Sequence, residues 1–342
     1  MKKVKSSWCR LKGQGGFTLI ELLIVIAIMG FLVAMIAPRL AGIAGHASDV
    51  ICDNNQVRLR QVLAAYNERT GQYPNNLTSL VYHDKEGKAV DPSDHYDAER
   101  GLGTGWYVDD NNRANGQEVL SKDFYAMTRL GLLTLNEDEA RELIQLGVSR
   151  LYYLNVNQDV EEMEYVGNEV KKLNENIPEA GAGNRYMQPV EVKKDVHVLA
   201  VGFKGDNLTL QTGHKIGHPD RIGCIVLGVG PNSDLVQEGL IQQAALCPNG
   251  IRRADHFLYN NYNIVLPRLA ATSTKIVEAL GGENKVKVTL VFENELTKEE
   301  KTVVIEKDTG MEPYQFTTFC PEGCNPMAPD EPYWVLKEVK PE

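Results

Sequence analysis

The sequence predicts an α+β protein: a long N-terminal α-helical stem, one half membrane-spanning and one half amphipathic, carrying a large globular head of antiparallel β-sheet with helices. Three observations predict it. Phe17 to Ala37 is a run of 21 residues whose single charge is Glu21. Beyond it Ile51, Leu59, Val62, Leu63 and Tyr66 recur near helical spacing, with Asp53, Arg58, Arg60 and Glu68 interleaved. Towards the C-terminus Val286, Val288, Leu290 and Phe292 alternate with Lys285, Lys287 and Thr289, the period of a half-buried strand.

Residues 1–16 carry Lys2, Lys3, Lys5, Arg10 and Lys12 and no acid. Such a flank is held in the cytoplasm. The run that follows is long enough to cross a bilayer, since roughly 20 apolar residues cover the hydrocarbon. No second run of that kind occurs, so everything beyond Ala37 is expected outside the inner membrane. An ordinary secretory signal is cut after its apolar stretch. Here the small residues "GQGG" precede it, and a cut between Gly16 and Phe17 keeps the apolar helix at a new amino terminus. Loss of residues 1–16 removes five positive charges and takes the net charge from −10 to −15. The remaining acidic chain has no basic stripe, which argues against nucleic acid as a partner.

The segment "GGFTLIELLIVIAIMGFLVAMIAP" resembles the amino-terminal signature of type IV pilins and type II secretion pseudopilins. The resemblance rests on Gly16, Phe17, Thr18, Leu19, Glu21 and Leu22 in order and covers about the first fifth of the chain. It implies a prepilin leader over 1–16, cleavage by prepilin peptidase between Gly16 and Phe17, and methylation of the new amine on Phe17. It gives Glu21 a role. A charge in a membrane helix costs about 3 kcal/mol on insertion scales, and the Phe17 amine of an adjacent subunit supplies the opposite charge. Buried ion pairs are poor sources of net stability but good at fixing register. The plainer reading has Glu21 snorkelling to the interface from an anchor helix. Gly30 and Pro38 weaken a helix interior, and the resemblance implies that the stretch between them softens on assembly; the plainer reading is a membrane-helix kink.

Gly71 and Pro74 are expected to end the stem, giving 17–71 as stem and 17–37 as its transmembrane part. "YNERTGQYPNNLTSLV" is similar to the corner after the stem in secretion pseudopilins. Residues 72–184 read as a mixed helical and loop part of the head. "SKDFYAMTRLGLL" has apolar residues at helical spacing. "NEDEARELIQLG" begins with Asn136 as cap, has Glu139 in the reciprocal position, and stops at Gly147. "NIPEAGAGNRYMQP" is the expected boundary to a β-rich part, 185–342. There Val190, Val192, Val196 and Val198 read as one half-buried strand, "IGCIVLGV" as a buried strand, and "NSDLVQEGLIQQAAL" and "PRLAATSTKIVEAL" as helices.

Six cysteines are present, and Cys9 precedes the cut. Five in an oxidising compartment suggest two bridges and one thiol. Sequence does not fix connectivity; the pairs taken are Cys320 with Cys324, closing "CPEGC", and Cys224 with Cys247, while Cys52 packs in the helix. "CPEGC" lacks the spacing and the histidine of haem attachment. "IVLGVGPNSDLV" lacks the third glycine of a dinucleotide fingerprint and reads as a strand-to-helix turn capped by Ser233. His83, Asp84, Asp91, Asp94, His95 and Asp97 form an acidic loop. Its oxygens suit calcium, which related pseudopilins bind near their carboxyl end. Neither position nor spacing matches, so a solvated loop is favoured, with calcium as the minor alternative and no other cofactor. "DDNNRANGQE" also misses the calcium pattern. His214 and His218 lie four apart with Asp220 nearby, but Gly213, Gly217 and Pro219 make this a turn. No catalytic motif stands out, so no enzyme is expected.

The expectation is a structural subunit of a pilus or pseudopilus. A head of 72–342 would crowd a filament that carried it at every position, which favours a large minor or tip subunit. Its partners would be other pilin or pseudopilin subunits, prepilin peptidase, an inner-membrane assembly platform and a cytoplasmic ATPase. Before assembly it would sit in the inner membrane with a periplasmic head, and afterwards in a periplasmic or extracellular filament. The rival reading is a displayed binding protein, an adhesin or cargo-receiving head.

Overall fold

The computed structural model describes residues 19–82, 89, 130–154, 163–166, 169–172, 187–203, 208, 210, 212–213, 215–241, 262–293, 298–320 and 334–342. It divides into two compact units, Met1–Asp49 and Val50–Glu342.

In the first unit every described residue belongs to α1 (Leu19–Thr70). Leu, Met and Ala dominate this part with Ile and Val, all compatible with a helix. Gly30 and Pro38 both lie within the helix, whose backbone is continuous across them. Among the described residues no helix is long and apolar enough to cross a membrane. The side chains described in this unit run from Leu19 to Ala34, and each is exposed.

The second unit begins with the rest of α1. Cys52, Gln56, Leu59, Leu63 and Tyr66 are buried at spacings of three and four, which puts them on one stripe. Ile51, expected on that stripe, is exposed, as are Val50 and Val57. The helix ends where the sequence indicates. Gly71 takes φ +71 and its N–H bonds Asn67 O at 2.7 Å, the left-handed stop that glycine adopts without a Cβ penalty.

An N-terminal helix followed by a sheet-rich globular region is thus an α+β arrangement. The fourteen described strands form an eight-stranded sheet, a four-stranded sheet and a separate two-stranded hairpin. Its path runs β13 (Thr317–Phe319), β10 (Asn263–Val265), β9 (Ile225–Gly228), β1 (Leu77–Tyr82), β3 (Arg150–Leu154), β6 (Met187–Glu191), with β2 (Gly131–Thr134) joined through β7 (His197–Ala200) to β9. Strands from both 72–184 and 185–342 share it. Pairing is antiparallel except between β1 and β3, which run parallel. β9 is buried on both faces, so it reads as an unbroken apolar run. Ile225 and Leu227 face one core with the α1 stripe, and Val226 faces the other.

The second sheet orders β12 (Lys298–Glu306), β11 (Lys285–Glu293), β14 (Trp334–Pro341) and β8 (Lys215–Ile216). The alternation in β11 behaves as expected: Val286, Val288 and Leu290 are completely buried. β4 (Met163–Val166) and β5 (Glu169–Lys172) form a separate hairpin. The described α-helices of the head are α2 (Glu137–Gln145), the single turn α3 (Asp234–Gln237) and α4 (Ala270–Ala279), and Pro219–Arg221 forms a 3-10 turn.

Three local expectations are corrected. The end of "SKDFYAMTRLGLL" is strand β2, not helix. Leu130 and Leu132 enter one core and Leu133 and Leu135 the other, an alternation that a run of leucines at both phases hides. Residues 190–198 form two strands, because Asp195 takes φ +68 and turns the chain between them; β6 then pairs with β3 and β7 with β2 and β9. "NSDLVQEG" forms only the turn α3, which Gly239 at φ +73 closes. Ser233 stands at its N-cap, but its hydroxyl makes no cap bond and is buried without a partner. The acidic loop 83–99, apart from buried Ala89, "DDNNRANGQE" and His214 lie outside the described residues.

Candidate functional site

Two places concentrate the sequence candidates: the start of α1, and the corner where α1 enters the head. Gly16 and Phe17 lie outside the described residues. Glu21 falls in the first turn of α1, where unpaired N–H groups and the helix dipole favour a negative charge. It is exposed, as are its neighbours Leu19, Ile20, Leu22 and Leu23. In sequence it follows Phe17 by four residues, a helical spacing. Its surroundings are apolar on every side of the helix, through Ile24, Val25, Ile26, Ile28, Met29, Phe31, Leu32 and Val33. A helix apolar all round belongs in a protein core or a bilayer, whereas a surface helix is apolar on one face.

At the corner, Tyr73 is completely enclosed. Its N–H bonds Leu146 O at 2.7 Å, its hydroxyl donates to Pro313 O, and its ring meets Phe316 edge-on at 5.8 Å. Burial pushes its phenol well above the usual range. Next in the chain, Asn75 and Asn76 form a clasp that sequence reasoning missed. Asn75 Oδ1 accepts from the N–H of Ser149 at 3.0 Å and of Arg150 at 2.9 Å. Asp234 accepts from Asn75 N at 3.0 Å and from Asn76 Nδ2 at 2.7 Å, and Arg150 Nε donates to Asn76 Oδ1 at 2.6 Å. Asn76 takes φ +60, a conformation asparagine tolerates better than most residues. An Asn-Asn pair after Tyr-Pro was the available signal. The exposed Arg69–Glu238 pair at 3.1 Å adds little beside it.

The remaining candidates separate. Cys224 and Cys320 are both completely buried but in different cores, and Cys224 Sγ meets Met311 Sδ at 3.6 Å. Burial pushes the Cys224 thiol up. Cys247 and Cys324 lie outside the described residues. His218 stacks on Phe319 with centroids 4.4 Å apart. Burial, aided by Arg221, brings its pKa down to about 4. Among the described residues no group of His, Cys, Asp and Glu is placed to hold a metal ion. A pocket of about 280 Å³ beside α4 includes Glu142, but that carboxylate already accepts from Ala270 N and Ala271 N at 2.9 and 3.0 Å.

Residues 11–37 match the family model of the prokaryotic N-terminal methylation motif. They carry the type IV pilin and pseudopilin signature, which marks substrates of prepilin peptidase and points to a structural subunit that assembles with other pilin subunits. No curated protein and no solved structure matches the chain.

Proposed function

We propose that this chain is a large minor pilin or pseudopilin, cleaved after Gly16, methylated on Phe17 and assembled through α1. What carries the reading is the methylation motif over residues 11–37 with Glu21 as the one charge in the apolar start of α1. Before assembly, Phe17–Ala37 holds the chain in the inner membrane with the head on the periplasmic side. The platform and its ATPase then move it into a filament, where Glu21 of one subunit pairs with the Phe17 amine of the next. Loosening of the helix between Gly30 and Pro38 accompanies that transfer. The charge pair contributes register more than net stability.

The native amino terminus tests the processing. Mass spectrometry should find methylated Phe17, and a chain that retains Met1 or is trimmed beyond Ala37 would overturn the reading. Glu21→Ala tests the assembly step. Membrane retention should persist while incorporation into sheared filaments falls at least tenfold; incorporation at the native level would refute the pairing. Deleting the gene should leave filaments in place, since the chain is read as a minor subunit.

A further inference from the structure

We propose that Cys52 and Cys320 form a disulfide that ties α1 to the C-terminal part of the head. It rests on the reading above only in needing an oxidising compartment.

The placement follows from strand register. β10 and β13 pair antiparallel, with Val265 opposite Thr317, Ile264 opposite Thr318 and Asn263 opposite Phe319. Continued one step past the strand ends, that register sets Tyr262 opposite Cys320. Side chains alternate along a strand, so these two share the face of Ile264 and Thr318. α1 crosses that face at close range. Thr318 Oγ1, on one of the shortest side chains, donates to Gln56 O at 3.4 Å. One pair further along, Tyr262 donates its hydroxyl to Cys52 O at 3.5 Å. The step from Gln56 back to Cys52 is one helical turn, about 6 Å. The step from Thr318 to Cys320 is two strand residues, about 6.7 Å. The two steps are of similar length, and Tyr262, which the register sets opposite the Cys320 position, is the residue whose hydroxyl reaches Cys52 O.

Three further observations agree. Cys52, Tyr262 and Cys320 are completely buried in one core, and Gln56 Nε2 donates to Cys52 Sγ at 3.7 Å. The Tyr262 phenol is pushed up by burial first, then by Cys52, with Cys320 adding to it. Cys224 belongs to the other core and faces Met311.

In the reaction each thiol loses a proton and the pair gives up two electrons. A sulfur–sulfur bond forms between Cys52 and Cys320, and the disulfide of a thiol oxidoreductase or of a small-molecule oxidant opens to two thiols. Burial of both sulfurs places the reaction during folding. The bridge would close the chain from residue 52 to residue 320 and carry tension from the helix directly into β13.

The test is peptide mapping of the full chain. Protein extracted in detergent from the cell envelope is denatured, alkylated with N-ethylmaleimide and digested without reduction. A peptide pair joined through Cys52 and Cys320, separating on reduction, is expected. It should persist in Cys224→Ser and vanish in Cys320→Ser, which leaves Cys52 alkylated. Cys320 joined to Cys324, or alkylation of Cys52 in the native chain, overturns the proposal. A second arm separates geometry from compartment: the purified, reduced full chain is refolded with oxidised glutathione. If the pair forms there but both cysteines are alkylated in cells, the native bridge is refuted and the compartment is at fault. If it forms in neither while protease added to spheroplasts digests the head, the geometry is refuted and the location stands.

Discussion

Glu139 is the most completely buried charge described in the head, and its removal has a calculable effect. Its side chain is 0% exposed. Oε2 accepts from Asn136 N at 2.8 Å and from Lys275 Nζ at 3.2 Å, and Oε1 accepts from Thr272 Oγ1 at 2.9 Å. Glu139→Ala leaves the Asn136 N–H and the Thr272 hydroxyl without these acceptors, at about 1–3 kcal/mol for each group that stays dry. Breaking a fully buried ion pair costs about 3–5 kcal/mol. The Lys275 side chain is 29% exposed and also donates to Thr134 O at 2.5 Å, so part of its charge is solvated and the upper end does not apply. A loss of about 3 kcal/mol is expected, or about 5 °C in the melting midpoint, from an unfolding entropy of about 2.1 cal/mol/K per residue over the head of 72–342. Glu139→Gln retains one carbonyl acceptor and should cost about half as much. Thermal and urea unfolding of the full chain in detergent, followed by circular dichroism, reads both variants. A Glu139→Ala loss below about 1 kcal/mol, or equal losses in the two variants, would refute the reasoning.

Two other predictions concern the head. The His218 pKa is about 4 when folded against about 6.5 unfolded. The unfolded chain therefore takes up the proton first as pH falls, and the stability from keeping His218 neutral is complete above pH 6.5 and lost towards pH 4. The loss approaches 3 kcal/mol, from about 1.4 kcal/mol per pH unit. His218→Phe preserves the stack on Phe319 and should flatten urea-unfolding stability across that window; an unchanged slope would count against it. Gly147 takes φ +100, and a Cβ there would lie 2.7 Å from Gln72 Cβ and from Tyr73 O. Gly147→Ala should cost about 2 kcal/mol or more, from left-handed strain plus backbone overlap. Urea unfolding measures it, and a loss under about 0.5 kcal/mol would show that the corner shifts freely.

Local signals were the legible ones. The capping box at Asn136 and Glu139 is present in full, because both partners lie within one helical turn. The stop at Gly71, the buried run of β9 and the alternation of β11 are equally local. What the sequence concealed depends on distant partners or on cores on both sides of a sheet. Leucines 130, 132, 133 and 135 serve two cores, so their spacing imitates a helix. The positive φ of Asp195 splits an apparently continuous alternation. The clasp of Asn75 and Asn76 needs Asp234 and Arg150, 158 and 74 residues away from Asn76, and no spacing rule reaches that far. Register placed Cys320 beside Tyr262, a neighbour that cysteine counting could not supply.

The two parts of α1 solve different problems. From Cys52 to Tyr66 a single stripe is buried, which a sheet face can cover. From Leu19 to Ala34 every side chain is exposed, and twelve of them are large and apolar. At about 1.5–3 kcal/mol per buried side chain, covering this surface outweighs several-fold the roughly 3 kcal/mol that one membrane charge costs. Apolar burial is nearly indifferent to sliding along the helix axis, whether lipid or neighbouring helices provide it. Glu21 is not, if the Phe17 amine of the next subunit compensates it as proposed, because that amine lies at one depth only. On the proposed function, the apolar surface therefore supplies the drive for insertion and packing, and Glu21 selects the register in which packing stops. Glu21→Gln separates the two effects: it keeps the size and much of the polarity but cannot pair with an amine as a charge. It should leave membrane retention intact and lower filament incorporation nearly as far as Glu21→Ala does. Incorporation close to the native level would assign register to polarity alone.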